Sequence, residues 1–317
     1  MEKTILVTGG LGYLGSHICK YLQKDGYEVI VYDRNPIISH SYYDHIYQHD
    51  IRSKSCLVNV FSQNKIDAVI HLAGRIEVGE SMKHPIEFWD NNVAGTANLL
   101  NVMNKYGVKN IVFSSTAAVY EPTLDYPIRE EYRFANNSVY GNTKIACEQM
   151  IQDSKMNYGI FRYFNLAGCD PEIDIGENHE PETHLIPNIL KNINNFVVNG
   201  NDYLTDDGTC VRDYVHVTDV AHAHIKGLGI VCKDESFILN LGTGKGHSIL
   251  EIIGIVEQTT CEKVTYTFGP KREGDPDYLV ANIDRAKELL GYRPNHDIQS
   301  IVETAYKWHV KLKEEKV

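Results

Sequence analysis

Lys3 to Val7 is a short run rich in β-branched residues that breaks into Thr8-Gly9-Gly10-Leu11-Gly12-Tyr13-Leu14-Gly15, after which Ser16 to Gln23 reads as a helix. Strand, glycine-rich turn and helix in that order form the tightest constraint in the chain. Glycine accepts the turn's backbone, and the missing side chains let N–H groups at a helix start approach a pyrophosphate, where the helix dipole favours negative charge. The second strand, Glu28 to Tyr32, ends in Asp33, close to the distance at which an acid takes the ribose hydroxyls of a bound adenosine. A carboxylate there repels the 2′-phosphate of NADP, so the pattern favours NAD, with Arg34 as the opposing charge beside it. The plain alternative for Asp33 is a turn residue at a strand end.

Further βα units follow. Asp67 to Leu72 is an apolar strand ending in Ala73-Gly74, Phe88 to Lys105 reads as a long helix, and Asn110 to Phe113 is a buried strand running into Ser114-Ser115-Thr116-Ala117-Ala118. A strand is expected at Gly159 to Phe164. This alternation predicts an α/β fold, a doubly wound parallel sheet of Rossmann type with ligands at the carboxyl ends of its strands. Gly10, Asp33, Gly74, Ser114 and Thr116 all fall at such ends.

After Asn165 the pattern changes. Residues 166–213 are rich in Asn, Asp, Pro and Gly, with one helix expected at Leu185 to Asn195, and the stretch from Asp206 to Tyr214 is polar for a core. Val215 to Gly229 reads as a helix, Ser236 to Leu241 as a strand, and Ile249 to Thr259 as a helix opened by Gly-Thr-Gly-Lys-Gly-His-Ser. Residues 1–165 and 214–241 are therefore expected to form a dinucleotide-binding domain, and 166–213 with 242–317 a smaller discontinuous lobe. Substrate is expected between them.

Composition narrows the function classes. Among 317 residues, 43% are hydrophobic, which suits a packed globular protein, and the net charge is −11 with no long basic run, which argues against nucleic-acid binding. No apolar run approaches a membrane span, and Met1 leads almost directly into the first strand, so a soluble, cytoplasmic protein is expected. Seven scattered cysteines without a CxxC pair suggest reduced thiols, with neither a disulfide framework nor a zinc site, and no metal is expected.

Tyr140 and Lys144 stand four residues apart at the start of a helix-compatible run, on one face and about one turn from each other. A phenol loses its proton near pH 10 in water. A fixed positive charge favours the phenolate, and Lys144 can supply it. Spacing alone favours the plain reading, a surface helix with an unremarkable tyrosine and lysine.

Taken together, the motifs decide between these readings. Val7 to His17, Asp50-Ile51-Arg52, His71 to Gly74, Val78 to Ser81, Asn91-Asn92-Val93, Ser114 to Thr116, Tyr140 to Lys144, Arg162 to Asn165, His184 to Pro187, Asp207 to Val217, Asn240 to Ser248 and Arg272 to Asp275 occur in an order and spacing that resembles the extended short-chain dehydrogenase/reductases. Within that family the chain is similar, from end to end, to the UDP-hexose 4-epimerases. The resemblance implies an isomerase that interconverts UDP-glucose and UDP-galactose through a transient 4-keto sugar, with NAD regenerated in each cycle. It implies Tyr140 as the base, Lys144 as holder of the cofactor ribose and tuner of the tyrosine, and Thr116 as hydrogen-bond partner of the sugar 4-oxygen. Implied cofactor contacts are Gly9, Gly12, Tyr13, Leu14, Asp33, Asp50, Ile51, Leu72, Ala73, Gly74, Asn91, Ser114, Tyr140, Lys144 and Tyr163. Implied contacts to the UDP-sugar are Thr116, Asn165, His184, Leu185, Arg212 and Arg272, with Asp275 beside them and Leu279 where family members gate N-acetylated sugars. The resemblance also implies a homodimer paired through helices near 88–105 and 141–155. His71 and His216 are read as structural.

Some positions leave the common pattern. Val119-Tyr120-Glu121-Pro122 replaces Val-Tyr-Gly, Arg75-Ile76-Glu77 lacks a frequent lysine, and Asn199 replaces an aromatic. The rivals are a 4-epimerase of another nucleotide sugar (UDP-GlcNAc, a UDP-pentose or a UDP-uronate), a nucleotide-sugar 4,6-dehydratase, and a non-catalytic NAD-binding protein. The dehydratases usually place Asp-Glu after the threonine, and here Ala117-Ala118 stand there. A non-catalytic protein has no need of Tyr140, Lys144 and Thr116 together.

Overall fold

A computed structural model describes residues 3–36, 42–123, 125–135, 137–179, 182–272 and 274–315. The chain divides into two compact units, Met1–Glu121, Arg133–Arg162 and Ala221–Leu239 in one, Pro122–Tyr132, Tyr163–Val220 and Asn240–Val317 in the other.

The first half of the chain runs β1 (Thr4–Thr8), α1 (Tyr13–Lys24), β2 (Glu28–Asp33), β3 (His45–Gln48), α2 (Lys54–Gln63), β4 (Ala68–His71), α3 (Val78–Lys83), α4 (Pro85–Phe88), a π-helical turn (Trp89–Ala94), α5 (Gly95–Tyr106), β5 (Asn110–Thr116), α6 (Val139–Asp153) and β6 (Asn157–Tyr163). Then come β7 (Asn165–Ala167), α7 (Leu185–Lys191), β8 (Phe196–Asn199), β9 (Val211–His216), α8 (Val217–Val231), β10 (Phe237–Leu241), β11 (Gly246–Ser248), α9 (Ile249–Thr260), β12 (Tyr266–Gly269), β13 (Tyr278–Leu279), α10 (Asp284–Leu290) and α11 (Ile298–Glu314).

Seven strands form the parallel central sheet in the order β10-β6-β5-β4-β1-β2-β3. The order reverses at β1, which is the switch point where such sheets open a crevice for ligands. Strands covered on both faces must be apolar throughout, and β1 is buried at all five positions. On one face Leu6, Ile30, Val69 and Ile111 pack with Leu57, Leu99, Val102 and Ile151 from α2, α5 and α6. The second unit has its own core, in which Ile189, Phe196, Val198, Tyr214, Ile252, Val256 and Ile301 meet.

The expected long helix over 88–105 is present but begins at α4 and passes through the π-helical turn before α5. The helix expected over 185–195 stops at Lys191, because Asn192 leaves helical geometry (φ −121°, ψ 36°) and Phe196–Asn199 is drawn into a strand pairing in parallel with β12. Part of the polar stretch before Tyr214 is the buried strand β9, which pairs with β7, β11 and β13. Those partners place residues 214–220 with the second unit. Residues 122–132 join it through the Ile128–Ala281 bridge and the Asn240 N–H, which donates to Glu130 Oε1 at 2.8 Å.

Candidate active site

The glycine-rich turn is shaped by contacts that a Cβ would forbid. Gly9 has φ +75°, and a Cβ on it would lie 2.8 Å from the Ala73 nitrogen at the end of β4. One on Gly15 would lie 2.1 Å from the Gly9 carbonyl oxygen. Helix α1 starts after Gly12, which supplies no side-chain cap, and a helix N-terminus of this kind favours an anion. Asp33 fixes the turn from β2: Oδ2 accepts the Leu11 N–H at 3.0 Å and Oδ1 that of Asn35 at 2.9 Å. Tyr13 and Leu14 form the first turn of α1, with the Tyr13 ring edge-on to His17 and Leu14 buried. Leu72 donates its N–H to Thr8 O at 3.0 Å, and Ile51 is buried against Gly95. Asp50 is engaged by the Arg52 fork (2.9 and 2.8 Å), whose hydrogen bonds are the main reason its carboxyl is lowered to about 2.

Helix α6 sets the chemistry-bearing pair. Ser138 caps it by accepting the Gly141 N–H at 3.0 Å, and Gly141 must be small because a Cβ there would lie 2.6 Å from Ala118 O. The Tyr140 N–H donates to Ser81 Oγ at 3.1 Å, so α3 pins the same turn. One turn on, Lys144 Nζ donates to the Ser114 carbonyl at 2.9 Å and lies 6.0 Å from the Tyr140 ring centre and 4.8 Å from that of Phe113. Burial pushes the Lys144 ammonium below its ordinary pKa, opposed by Cys147 and Glu148. Thr116 ends β5, and its Oγ1 accepts the Ala118 N–H at 3.1 Å, which leaves the hydroxyl proton to donate elsewhere.

Beneath this pair lie two polar networks. Asn92, in the π-helical turn, donates to Thr143 Oγ1 and Arg75 O (both 3.0 Å) and accepts from the Arg75 N–H at 2.8 Å and from Asn91 at 3.0 Å. Glu148 accepts from Ser115 Oγ and pairs with Arg162 through both carboxylate oxygens, at 3.0 and 2.6 Å, while Arg162 NH1 donates to the Tyr120 hydroxyl at 3.1 Å. The second locks β5 to α6 through Ser115 and Glu148, and the first ties α6 to the π-helical turn.

In the second unit a small sheet carries the expected substrate residues. Asn165 on β7 pairs with Tyr214, and Leu279 on β13 pairs with Arg212, all against β9. Arg212 and Tyr214 are two apart on one strand and share a face. Arg212 NH1 donates to Val211 O at 2.8 Å, and NH2 stands 2.9 Å from Asp275 Oδ1 as an ion pair without hydrogen-bond geometry. Asp275 Oδ2 accepts from the Tyr203 hydroxyl at 3.2 Å. Leu185 opens α7 and His184 is its N-cap, with Nδ1 bonded to Glu177. Arg272 is exposed, and Tyr163 is half-buried at the end of β6.

Residues 5–242 match the family described as NAD dependent epimerase/dehydratase. The chain belongs to that family. This member of the NAD dependent epimerase/dehydratase family is 43% identical over 320 residues to the UDP-glucose 4-epimerase of Lacticaseibacillus casei, covering 96% of each chain. It is also similar to the UDP-glucose 4-epimerase of Stenotrophomonas maltophila solved with NAD and formylated UDP-arabinopyranose, at TM-score 0.94 and 35% identity over 99% of this chain and 100% of that one. The Bifidobacterium longum enzyme, solved with NAD+ and UDP, superposes at TM-score 0.90 and 34% identity over 98% of both chains.

Among the residues singled out from sequence, contacts join Gly9 to Ala73, Gly74 to the Lys144 head (3.5 Å from a Cβ built on the glycine) and Lys144 to Ser114 and Tyr140. Asn165, Arg212, Asp275 and Leu279 are likewise gathered at one sheet. Asn91 touches its neighbour Asn92, which is the hub that sequence reasoning passed over. Ser81, Ser115, Glu148 and Arg162 were also missed. For Glu148 a signal existed: it continues the helical face of Tyr140 and Lys144 by one more turn. His71 has the structural role expected of it. Its Nδ1 lies 2.7 Å from Thr8 Oγ1 and its Nε2 2.9 Å from Thr96 Oγ1. Because Thr96 donates its proton to Asn92 O at 2.6 Å, it must accept from Nε2–H, which assigns the tautomer. His216 is buried and stacks on His296.

Proposed function

We propose that this protein is an NAD-dependent UDP-glucose 4-epimerase, interconverting UDP-glucose and UDP-galactose through a transient 4-keto sugar. The observation that carries the reading is the buried Lys144 ammonium held 6.0 Å from the Tyr140 ring at the C-terminal end of β5. The first unit is the NAD-binding domain and the second holds the UDP-sugar.

The residues fit a dinucleotide: the Gly9 turn without Cβ atoms, the uncapped start of α1, and Asp33 on the turn. Bound NAD supplies the acceptor and donor for the hydride of the sugar C4. Tyr140 takes the proton of the 4-hydroxyl and returns it, and the Lys144 charge favours the phenolate that this needs. Thr116 donates its hydroxyl proton to the 4-oxygen. The keto sugar then turns to present its other face, so the site must grip the nucleotide and leave the hexose loose. Arg212 and Arg272 neutralise the pyrophosphate by charge-assisted hydrogen bonds, with Asn165, His184 and Leu185 completing the grip and Leu279 limiting N-acetylated sugars. Ala117 and Ala118 offer no carboxylate for eliminating water, which argues against a dehydratase. The same reading takes the protein as a cytoplasmic homodimer paired through helices near 88–105 and 141–155; a one-subunit mass in sedimentation would refute the pairing.

The test is to incubate the purified protein with UDP-galactose, first without and then with added NAD, and to separate the nucleotide sugars over time. UDP-glucose is expected even without added NAD, and Tyr140→Phe is expected to lose about a hundredfold or more in rate. No conversion after NAD is supplied would overturn the substrate assignment.

A further inference from the structure

Three side chains with no part in the chemistry above crowd around a fourth, His184, at the start of α7. Glu177, His179, Glu182 and His184 each offer one ligand atom, and these atoms all lie within 4.8 Å of one another. Two imidazoles share one oxygen: His179 Nδ1 is 3.1 Å from Glu177 Oε1, and His184 Nδ1 is bonded to the same atom. His179 Nδ1 also lies 3.9 Å from Glu182 Oε1, and the two rings meet edge to face at 5.3 Å.

All four come from one eight-residue stretch, Glu-x-His-x-x-Glu-x-His, and partners outside the cluster hold the Glu182 carboxylate and the Glu177 backbone. Glu182 Oε1 accepts the N–H groups of Thr183 and His184 at 3.0 and 3.1 Å, while Lys191 Nζ bonds its other oxygen at 3.4 Å. The Glu177 carbonyl accepts the Trp308 indole N–H at 2.7 Å. The Glu182 carboxylate is thus oriented by outer hydrogen bonds of the kind that a metal site uses to fix its ligands.

We propose that Glu177, His179, Glu182 and His184 form a binding site for a divalent first-row transition metal, zinc foremost. Two imidazole nitrogens with two carboxylates suit zinc and its neighbours in the row rather than magnesium or calcium, which take oxygen ligands alone. The two carboxylates balance the ion's charge. Four protein ligands make a closed, structural site. Its place ties the loop at Glu177 to the N-cap of α7, so the ion stabilises the second unit and, through His184, braces the proposed grip on the nucleotide without entering the chemistry at the sugar. Cysteine spacing could not reveal such a site, because no thiol takes part.

The test is to titrate the chelator-treated full-length protein, thiols reduced, with cobalt(II). One equivalent is expected to bind with visible ligand-field absorption, no thiolate charge-transfer band in the near ultraviolet, and a raised melting temperature. His179→Ala and Glu182→Gln are each expected to weaken binding about tenfold or more. Absence of stoichiometric binding, a thiolate band, or equal affinity in both variants would overturn the proposal. Should the variants not fold, X-ray absorption of the zinc-loaded wild-type protein decides: a shell of nitrogen and oxygen alone supports the site, and sulfur refutes it. Neither readout depends on epimerase activity.

Discussion

Two buried arginines, one on a strand of each unit, have different environments. Arg162 on β6 spends Nε and NH2 on the two oxygens of Glu148 and NH1 on the Tyr120 hydroxyl, with its guanidinium 5.2 and 4.8 Å from the ring centres of Tyr120 and Phe134. The side chains of that pair are 2% and 1% exposed. Arg212 on β9 gives NH1 to Val211 O, faces Asp275 with an NH2 that makes no hydrogen bond, and has a partner carboxylate that is 29% exposed. A guanidinium committed to such a closed set of partners is structural. One paired with a carboxylate that water can reach has the less closed surroundings that the proposed grip on an anion calls for.

Breaking the closed pair should have the largest effect. Glu148→Gln leaves a buried guanidinium without its counter-charge and is expected to cost roughly 3–5 kcal/mol of stability in denaturant unfolding. A loss below about 1 kcal/mol would erase the distinction. Arg212→Met should do the reverse, with a modest change in stability and UDP affinity about ten- to a hundredfold weaker by calorimetry, the value of a hydrogen bond to a charged group. Unchanged UDP affinity would return Arg212 to a structural role.

The smallest effect extends the comparison to a third enclosed polar group. His71 is held neutral with its pKa lowered to about 3, chiefly by burial and secondly by Lys144. The unfolded chain takes up a proton near pH 6.5 and the folded one does not until near 3, so stability is full above pH 6.5 and falls as pH drops toward 3. The loss approaches about 1.4 kcal/mol per pH unit, or roughly 1 kcal/mol between pH 7 and about pH 5.5. Unfolding curves at the two pH values should show this term in the wild type and its absence in His71→Asn. Equal slopes would mean that the site admits a proton.

Much of the first unit was legible because its demands are local. Gly15 is fixed by sterics within a few residues, β1 and β4 announce themselves as buried strands, and Tyr140 and Lys144 face the same way because a helix repeats every 3.6 residues. The hub at Asn92 was not legible, since an asparagine acquires its partners only when the π-helical turn, α6 and the Arg75 backbone are packed together. Nor could spacing show that Arg162 is closed off and Arg212 less so, since each is an arginine inside a strand-forming run.

The sequence by itself determined the alternating α/β order, the glycine turn and the face that carries the tyrosine and lysine, all of which follow from backbone sterics and side-chain period over short stretches. Only the tertiary structure decided that Phe196–Asn199 is a strand, because its partner begins at Tyr266, and that Arg162 is closed off while Arg212 is not. It also decided that Glu177, His179, Glu182 and His184 converge. Hydrogen-bond saturation and burial are properties of what surrounds a residue, and those neighbours arrive from distant parts of the chain.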